Sequence, residues 1–446
     1  MTDTQATNMV GCYSGKALNT NNIDALAKHG VRFNSAYTCS PVCTPARAGL
    51  FTGIYSNQSG PWSNNIAPGK NISTMGRYFK DAGYDTCYVG KWHLDGHDYY
   101  GTGVCPTEWN EDYWFDGANY LAELSDQQIA LWRNGLNSVE DLEKNRIDET
   151  FTWAHRISDR AIRYLDEKSS AANQPFLMVL SYDEPHHPFT CPPDYLKKYQ
   201  DFHYDLGPKA FDDLVYKPEH QRVGADAMAS PVDEQGLYYH PLYFACNDFV
   251  DDEIGRVIRH LDQGEIDNTW LIYTSDHGEM LGKFGMWWKC SLYEDSVRIP
   301  MIAAGPDFQR NRKYGTPVEL LDIHAFLYSI YNIERPDECR GIPLNELPEA
   351  SGERIVFSEY HGHGTRGSAF MVRRGNWKLI YYTQAPNQLF NLELDPDELH
   401  DVSADHPDIM AELTTELQKI CNPEEVDTEV QDLIDSQLRA ISELDK

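Results

Sequence analysis

No stretch of this sequence comes near the roughly 20 consecutive apolar residues that a membrane-spanning helix requires, so no such span is expected. Positive charge is scarce: 38 Lys and Arg stand against 69 Asp and Glu, a formal net charge of -31 at pH 7. That excludes a nucleic-acid partner, because holding phosphates takes clustered Lys and Arg. It also means that an anionic substrate must be drawn in by a local positive pocket against the overall field. Cysteine is present but unordered. The ten residues are scattered (Cys12, Cys39, Cys43, Cys87, Cys105, Cys191, Cys246, Cys290, Cys339 and Cys421), and no paired C-x-x-C spacing of a zinc site occurs. A chain this long does not need disulfide staples, so buried, reduced thiols are expected. No secretory leader pattern is visible, and the sequence as it stands reads as cytoplasmic.

What is there reads as one large α/β domain with a smaller appendage. Short apolar runs with β-branched or aromatic residues predict strands at Tyr84–Val89, Phe176–Leu180, Thr269–Thr274 and Pro300–Ala304. Between them lie helical patterns, among them Ile23–His29 before Gly30, Arg156–Glu167 with Ile157, Ala161, Ile162 and Leu165 on one face, and Phe249–Leu261. Strands alternating with helices imply a mixed, mainly parallel sheet covered on both faces. The texture changes near Ser351: Arg354–Ser358, Ser368–Arg373 and Trp377–Tyr382 read as successive strands with Gly375-Asn376 as a turn, and a helix follows at His406–Ile420. The expected division is therefore 1–350 for the larger unit and 351–446 for an α+β unit whose acidic tail beyond Asn422 is a solvated helix.

The polar residues fall at one edge. Gly90-Lys91-Trp92-His93, Ser181 to Pro188 and Ser275-Asp276-His277-Gly278-Glu279 each follow a proposed strand. Ligands of open α/β sheets bind beyond the C-terminal strand ends, so Lys, His and Asp side chains from separate strands converge there. Taken singly, each is a turn, a cap or a solvated loop; their shared position carries the functional reading. The stretch Cys39 to Gly53 fits the same edge. Thr44-Pro45 reads as a helix N-cap and first turn, Thr52-Gly53 as its end, with Cys43 just ahead of the N-terminus. There the backbone amides favour an anion and lower a thiol's pKa, and Arg47 can reach back towards whatever Cys43 carries. Cys39 has Cys43 and not Arg at that offset, so it is structural. Cys43 is also open to reading as a small buried hydrophobe. A thiolate of the tyrosine-phosphatase kind fails, since the position five residues further than Thr44 holds Gly49 where arginine is required.

Together these residues resemble the type I sulfatase family, whose signature C-x-P-x-R is followed after four residues by T-G. Here it stands as Cys43-Thr44-Pro45-Ala46-Arg47 and Thr52-Gly53. Gly90-Lys91-Trp92-His93, His186-x-Pro188, Ser275 to Gly278, Trp287-Trp288-Lys289, Gly375 to Leu379 and Leu389 to Pro396 follow in the family's order. The resemblance implies an alkaline phosphatase-like fold and hydrolysis of a sulfate monoester, on a carbohydrate. It implies that a formylglycine-generating or anaerobic maturation enzyme oxidises Cys43 to formylglycine. One hydroxyl of its hydrate attacks sulfur, and deprotonation of the other expels sulfate. It further implies one divalent cation on Asp3, Thr4, Asp276, His277 and the modified Cys43, calcium first, with manganese or magnesium open because of the imidazole. Arg47 would hold the formylglycine hydroxyl, Lys91 and Lys289 the sulfate oxygens, His93 would take the second hydroxyl's proton, and His186 would protonate the leaving oxygen.

The sequence departs from the family at its start: Asp3-Thr4 comes first, without the usual apolar strand and second carboxylate, so Thr4 or Gln5 is expected to supply a neutral oxygen. A central strand is then missing; a start set too far downstream would account for it, and a leader lost with it would make the protein periplasmic or secreted. For substrate contacts the candidates are Asn65, His361, His363 and Arg366, with Trp109 and Trp114 as stacking rings. Two alternatives stay open: a phosphonate or phosphate ester hydrolase with the same nucleophile, and an inactive glycan-binding relative with unmodified Cys43. Lys91 and His93 favour sulfate over the first.

Overall fold

The β-branched and aromatic runs become strands, and the amphipathic stretches between them become helices that cover the sheet. The computed structural model describes the chain except for residues 15–17, 135, 137, 171–173, 228–231, 262–267 and 445–446. The central layer comprises β1 (Val31–Phe33), β2 (Asp85–Gly90), β3 (Phe176–Ser181), β4 (Leu271–Thr274), β5 (Met301–Ala304) and β6 (Arg312–Tyr314). β2 and β3 pair in parallel, from Asp85 opposite Phe176 to Gly90 opposite Ser181. β1 is parallel to β6, while β5 runs antiparallel to both β1 and β4. The sheet is therefore mixed, and the antiparallel placement of β5 was not visible in the alternation of strands and helices.

Helices cover both faces. On one lie α1 (Asn21–His29), α3 (Trp153–Ser170) and α4 (Pro241–Leu261); on the other lie α2 (Cys43–Thr52) and α5 (Leu320–Ile330). Ile157, Ala161, Tyr164 and Leu165 of α3 pack against Cys87, Val89 and the α4 residues Phe249, Val250 and Val257. Each large apolar side chain buried this way is worth about 2 kcal/mol. The opposite core joins Ala46, Ala48 and Phe51 of α2 to Phe326 of α5 and continues into the C-terminal part through Phe357, Phe370 and Leu413.

That C-terminal part is an antiparallel meander of β7 (Ile355–Tyr360), β8 (Ala369–Arg374), β9 (Trp377–Tyr382) and β10 (Gln388–Asn391). Gly375, at φ +58°, opens the two-residue turn between Arg374 and Trp377, a left-handed position suited to glycine. α6 (Pro407–Ile420) packs on β8 and β9, and α7 (Pro423–Leu444) follows. α7 is not wholly solvated: Val426 and Val430 enter the second core. No helix among the described residues is long and apolar enough to cross a membrane.

β3 and β4 are adjacent in space but not paired with each other. Residues Met1 and Thr2 lie between them at one end only. The Met1 ammonium donates to the Leu180 carbonyl (2.6 Å) and the Tyr182 amide to the Met1 carbonyl (3.0 Å), while the Thr2 amide donates to Thr274 (3.0 Å). Thr2 bridges Ser275 in the parallel sense. Beyond Met1 the two strand edges enclose a cavity of about 700 Å³ lined by Met178, Leu180, Leu271, Tyr273, Ile254 and Val257, among others. The position expected to lack a strand is thus a slot in the sheet, closed at the end nearest the polar loops.

Candidate active site

Four chain segments meet at the closed end of that slot. Residues 3–4 leave Thr2, the segment after β2 brings Lys91 and His93, the segment after β3 brings Asp183 and His186, and the segment after β4 brings Asp276 and His277. α2 points its N-terminus at them. The helix begins at Cys43, two residues before the expected Pro45, with Val42 as N-cap. Thr44 makes no cap; its amide donates to Asn64 Oδ1 (2.9 Å) and its hydroxyl accepts from the Asn65 amide (3.3 Å). Gly53, at φ +71°, ends the helix as expected.

Asp3, Cys43, Asp276 and His277 are buried, and one ligand atom from each lies within 4.8 Å of the others. Cys43 Sγ is 3.2 Å from His277 Nε2. His277 Nδ1 donates to the Gly278 carbonyl (3.0 Å), which leaves the Nε2 lone pair aimed at the group. Gly278 permits this turn because a Cβ there would lie 2.0 Å from the Asp295 carbonyl. Arg47 ties the two carboxylates together: Nη2 meets Asp3 Oδ2 at 3.0 Å and Nε meets Asp276 Oδ2 at 3.1 Å. Its Nη1 donates to the Lys91 carbonyl (2.7 Å) and Ser181 Oγ (2.8 Å). The arginine therefore organises the cluster from behind rather than gripping Cys43. Two carboxylates, an imidazole lone pair and residue 43, converging with no apolar group between them, fit a divalent cation. Cys39, by contrast, is buried against the Pro45 and Ala46 carbonyls, and burial pushes its thiol well up.

Positive charge rings this cluster. Lys91 Nζ meets Asp3 Oδ2 (2.8 Å) and Asp183 Oδ1 (2.9 Å), and lies 4.9 Å from the Tyr99 ring centre. Lys289 is buried, with no carboxylate in ion-pair reach among the described residues. For Cys43, burial and Asp3 push the thiol up, but Lys289, Lys91 and His277 outweigh them and the net shift is downward. His93 is held neutral by burial and by Lys91 and Arg47. Its Nε2 donates to Asn65 Oδ1 (2.9 Å), and its buried Nδ1 has no partner among the described residues, so a proton acceptor stands ready. His186 is likewise kept neutral by burial and by Lys91 and Lys289, with Nδ1 on the His187 carbonyl (2.5 Å).

Several expected residues are placed differently. Thr4 Oγ1 donates to Asp3 Oδ1 (2.6 Å), so it orients the Asp3 carboxylate and does not itself join the cluster. Gln5 turns into the core, where Nε2 donates to Asn247 Oδ1 (2.9 Å), and it supplies no oxygen to the cluster. Asn65 sits at φ +66°, as turn asparagines do, and holds His93. His361 is not at a substrate surface: it is buried between Glu359 (3.0 Å) and Ser368 (2.8 Å). Arg366 pairs with Glu219 at 2.9 Å on the exterior, and exposed His363 lies 3.9 Å from Cys290 Sγ. Trp109 and Trp114 are buried around Tyr88 and Trp92, as core rather than stacking rings. Sequence reasoning missed Asp183, which neutralises Lys91, and Ser181, which holds Arg47; both lie in the post-strand segment that was read for His186 alone.

Comparison with known proteins accords with this geometry. The family model "Sulfatase" matches residues 1–333, and "N-sulphoglucosamine sulphohydrolase, C-terminal" matches residues 282–423. The chain is 60% identical over 410 residues to the uncharacterized sulfatase YidJ of Escherichia coli (strain K12), covering 91% of this chain and 82% of that protein. It is 29% identical to the choline-sulfatase of Rhizobium meliloti (strain 1021), covering 86% of this chain and 77% of that one. A solved structure of a protein in complex with its substrate D-glucosamine-2-N,6-O-disulfate superposes with a TM-score of 0.75 at 21% identity, over 97% of both chains. The chain belongs to the sulfatase family, sulfuric ester hydrolases of alkaline phosphatase-like fold.

Proposed function

We propose that the protein hydrolyses a sulfate monoester carried on a carbohydrate, with a formylglycine made from Cys43 and one divalent cation, calcium first. The observation that carries this reading is the placement of Cys43 at a helix N-terminus, 3.2 Å from His277 Nε2 and inside a ring of Arg47, Lys91 and Lys289. In the structure Cys43 Sγ marks where the oxygen of the modified residue would stand. Formylglycine at that position supplies an attacking hydroxyl and a second hydroxyl whose deprotonation frees sulfate. Asp3, Asp276, His277 and residue 43 would hold the cation, which would supply Lewis-acid activation of the ester.

This chain's residues do the rest. Arg47 fixes both carboxylates in one orientation. Lys91 and Lys289 place ammonium groups where charge grows on the sulfate oxygens, in a site dry enough for each to count. His93 takes a proton on its unpaired Nδ1, and Asn65 holds the ring for that task. His186 has Nδ1 engaged with the His187 carbonyl, which leaves Nε2 for the leaving oxygen; the negative charge of a bound ester offsets the Lys91 and Lys289 charges that otherwise keep the ring neutral, and favours its protonated form. Residues 1–350 carry the chemistry, and residues 351–446 buttress it.

The test is the mass of the tryptic peptide Phe33 to Arg47 from protein made alongside a maturation enzyme. A peptide in which one oxygen replaces SH2, and which reacts with hydrazides, supports the nucleophile. Unmodified cysteine in such a host would move the glycan-binding reading to the front. Rates on sulfate against phosphonate monoesters then separate the two hydrolase readings; Lys91 and His93 favour sulfate.

A further inference from the structure

Trp288 is half exposed although it adjoins buried Lys289, and its backbone stands at φ +62°. Cys290, on the far side of Lys289, is at φ +74°. A left-handed backbone is costly for a bulky residue, on the order of 1–3 kcal/mol, and persists where surrounding contacts enforce it. Here the Met280 amide, donating to the Trp288 carbonyl, and the Cys290 amide, donating to the Pro41 carbonyl, pin both flanks. The turn sends the Lys289 ammonium inward among the charges around Cys43 and leaves the Trp288 indole outside, one residue away.

The neighbour of that indole is His187. Its ring stacks on His186 at 4.1 Å and 24°, and lies 6.4 Å from the indole. His186, His187 and Trp288 thus form a line from the leaving-oxygen side of the cluster to the surface. His187 is exposed to solvent on one side, and partial desolvation together with the Lys289 and Lys91 charges pushes it down to about 4, so it is a neutral ring with nitrogen atoms that can bond hydroxyls.

We propose that Trp288 and His187 form a stacking platform that holds a pyranose ring of the ester's leaving group as it emerges past His186. The proposal rests on the sulfatase reading of the site. An indole face suits the C–H face of a sugar, while His187 and exposed His363 beside Cys290 offer polar partners to ring hydroxyls. A quaternary ammonium group is disfavoured: the platform offers one open indole rather than a cage, and the Lys289 and Lys91 charges reach it.

The test uses binding, so it does not depend on turnover. The full-length Cys43→Ala and Cys43→Ala/Trp288→Ala variants are titrated calorimetrically with monosulfated glucose, galactose and N-acetylglucosamine, with choline sulfate and with inorganic sulfate. The expected result is that at least one sugar sulfate binds and that Trp288→Ala weakens it roughly tenfold. Inorganic sulfate should be unaffected, and Trp288→Phe should recover most of the loss. An equal loss for inorganic sulfate would show that Trp288 acts only by placing Lys289, and would overturn the proposal. So would loss confined to choline sulfate, no loss for any sugar, or no sugar bound at all. Sugar binding with the expected loss, alongside an unmodified Cys43 in the wild-type protein, would sink the catalytic reading and leave the platform standing.

Discussion

Lys91 and Lys289 both face the Cys43 cluster, but the protein holds them differently. Lys91 neutralises Asp3 and Asp183, so Lys91→Ala leaves Asp183 buried without its cation, while Asp3 keeps Arg47, and should cost about 3–5 kcal/mol of stability as well as activity. Lys289 has no such partner among the described residues, so Lys289→Ala should cut turnover by roughly 10²–10³ and leave the melting temperature nearly unchanged. Parallel kinetics and thermal melts of the two variants check this; equal losses of stability would contradict the assignment. Glu184 offers a pH handle nearby. Burial, with Asp183 adding to it, pushes its carboxyl up to about 8. Between about 4.5 and 8 the folded protein therefore keeps a proton that the unfolded chain has lost, and stability falls as pH rises through that window, on the order of 1 kcal/mol per pH unit. Glu184→Gln keeps an acceptor for the Ala154 amide and removes the titration, so its melting temperature should decline less from pH 5 to 8 than the parent's.

At the scale of elements, the slot between β3 and β4 decides most. Two strand edges face each other across it, and Met178 and Leu180 on one edge and Leu271 and Ile272 on the other are only partly buried. Met1 and Thr2 already pair in the right direction with both neighbours at one end. Residues added ahead of Met1 would run down the slot parallel to β3 and β4, where both faces are covered and a continuous apolar run is suited. An extension of about five Val, Ile and Leu residues should therefore raise the melting temperature by several degrees. The same extension with a central proline, which cannot donate to the ladder, should not. Differential scanning calorimetry of the three chains checks it. Because the slot ends at Asp3 and Asp276, the stiffer sheet should also hold the cluster more firmly.

On the scale of the whole molecule, two fields oppose each other. The chain carries -31 overall, yet its site concentrates Arg47, Lys91 and Lys289. At low ionic strength, where the Debye length reaches about 30 Å, the overall charge repels an approaching anionic ester before it comes within reach of the pocket's local field. Raising ionic strength from about 10 to 150 mM should therefore increase kcat/KM severalfold for an anionic sulfated sugar, and much less for zwitterionic choline sulfate. Stopped assays at matched pH check the sign; a decrease for the sugar would mean that the pocket's own field dominates encounter. The C-terminal unit is bound to this body by buried charge: Lys378 meets Glu294 (3.0 Å), and Glu398, itself paired with Lys378 (2.7 Å), lies 3.8 Å from Lys209, which also meets Asp295 (2.6 Å). It is thereby coupled through Asp295 to the turn that carries Gly278.

The sequence by itself determined the longer strands and helices and the sheet edge at which the polar segments gather, because periodicity and turn residues act locally and strand ends carry those segments. That Cys43, Lys91, His93, His186, Asp276 and His277 would gather at one edge was legible from that local pattern, whereas Asp3 and Lys289 entered only through the family resemblance. Partnerships across the chain were not legible. Whether Arg47 clamps Asp3 and Asp276 or grips Cys43, whether Asn65 meets substrate or steadies His93, and whether His361 faces solvent or Glu359 are settled by contacts between residues far apart in sequence. The antiparallel placement of β5 and the slot beside β4 belong to the same class. They follow from how strands dock in three dimensions, where long-range pairing and desolvation outweigh what any local window of residues prefers.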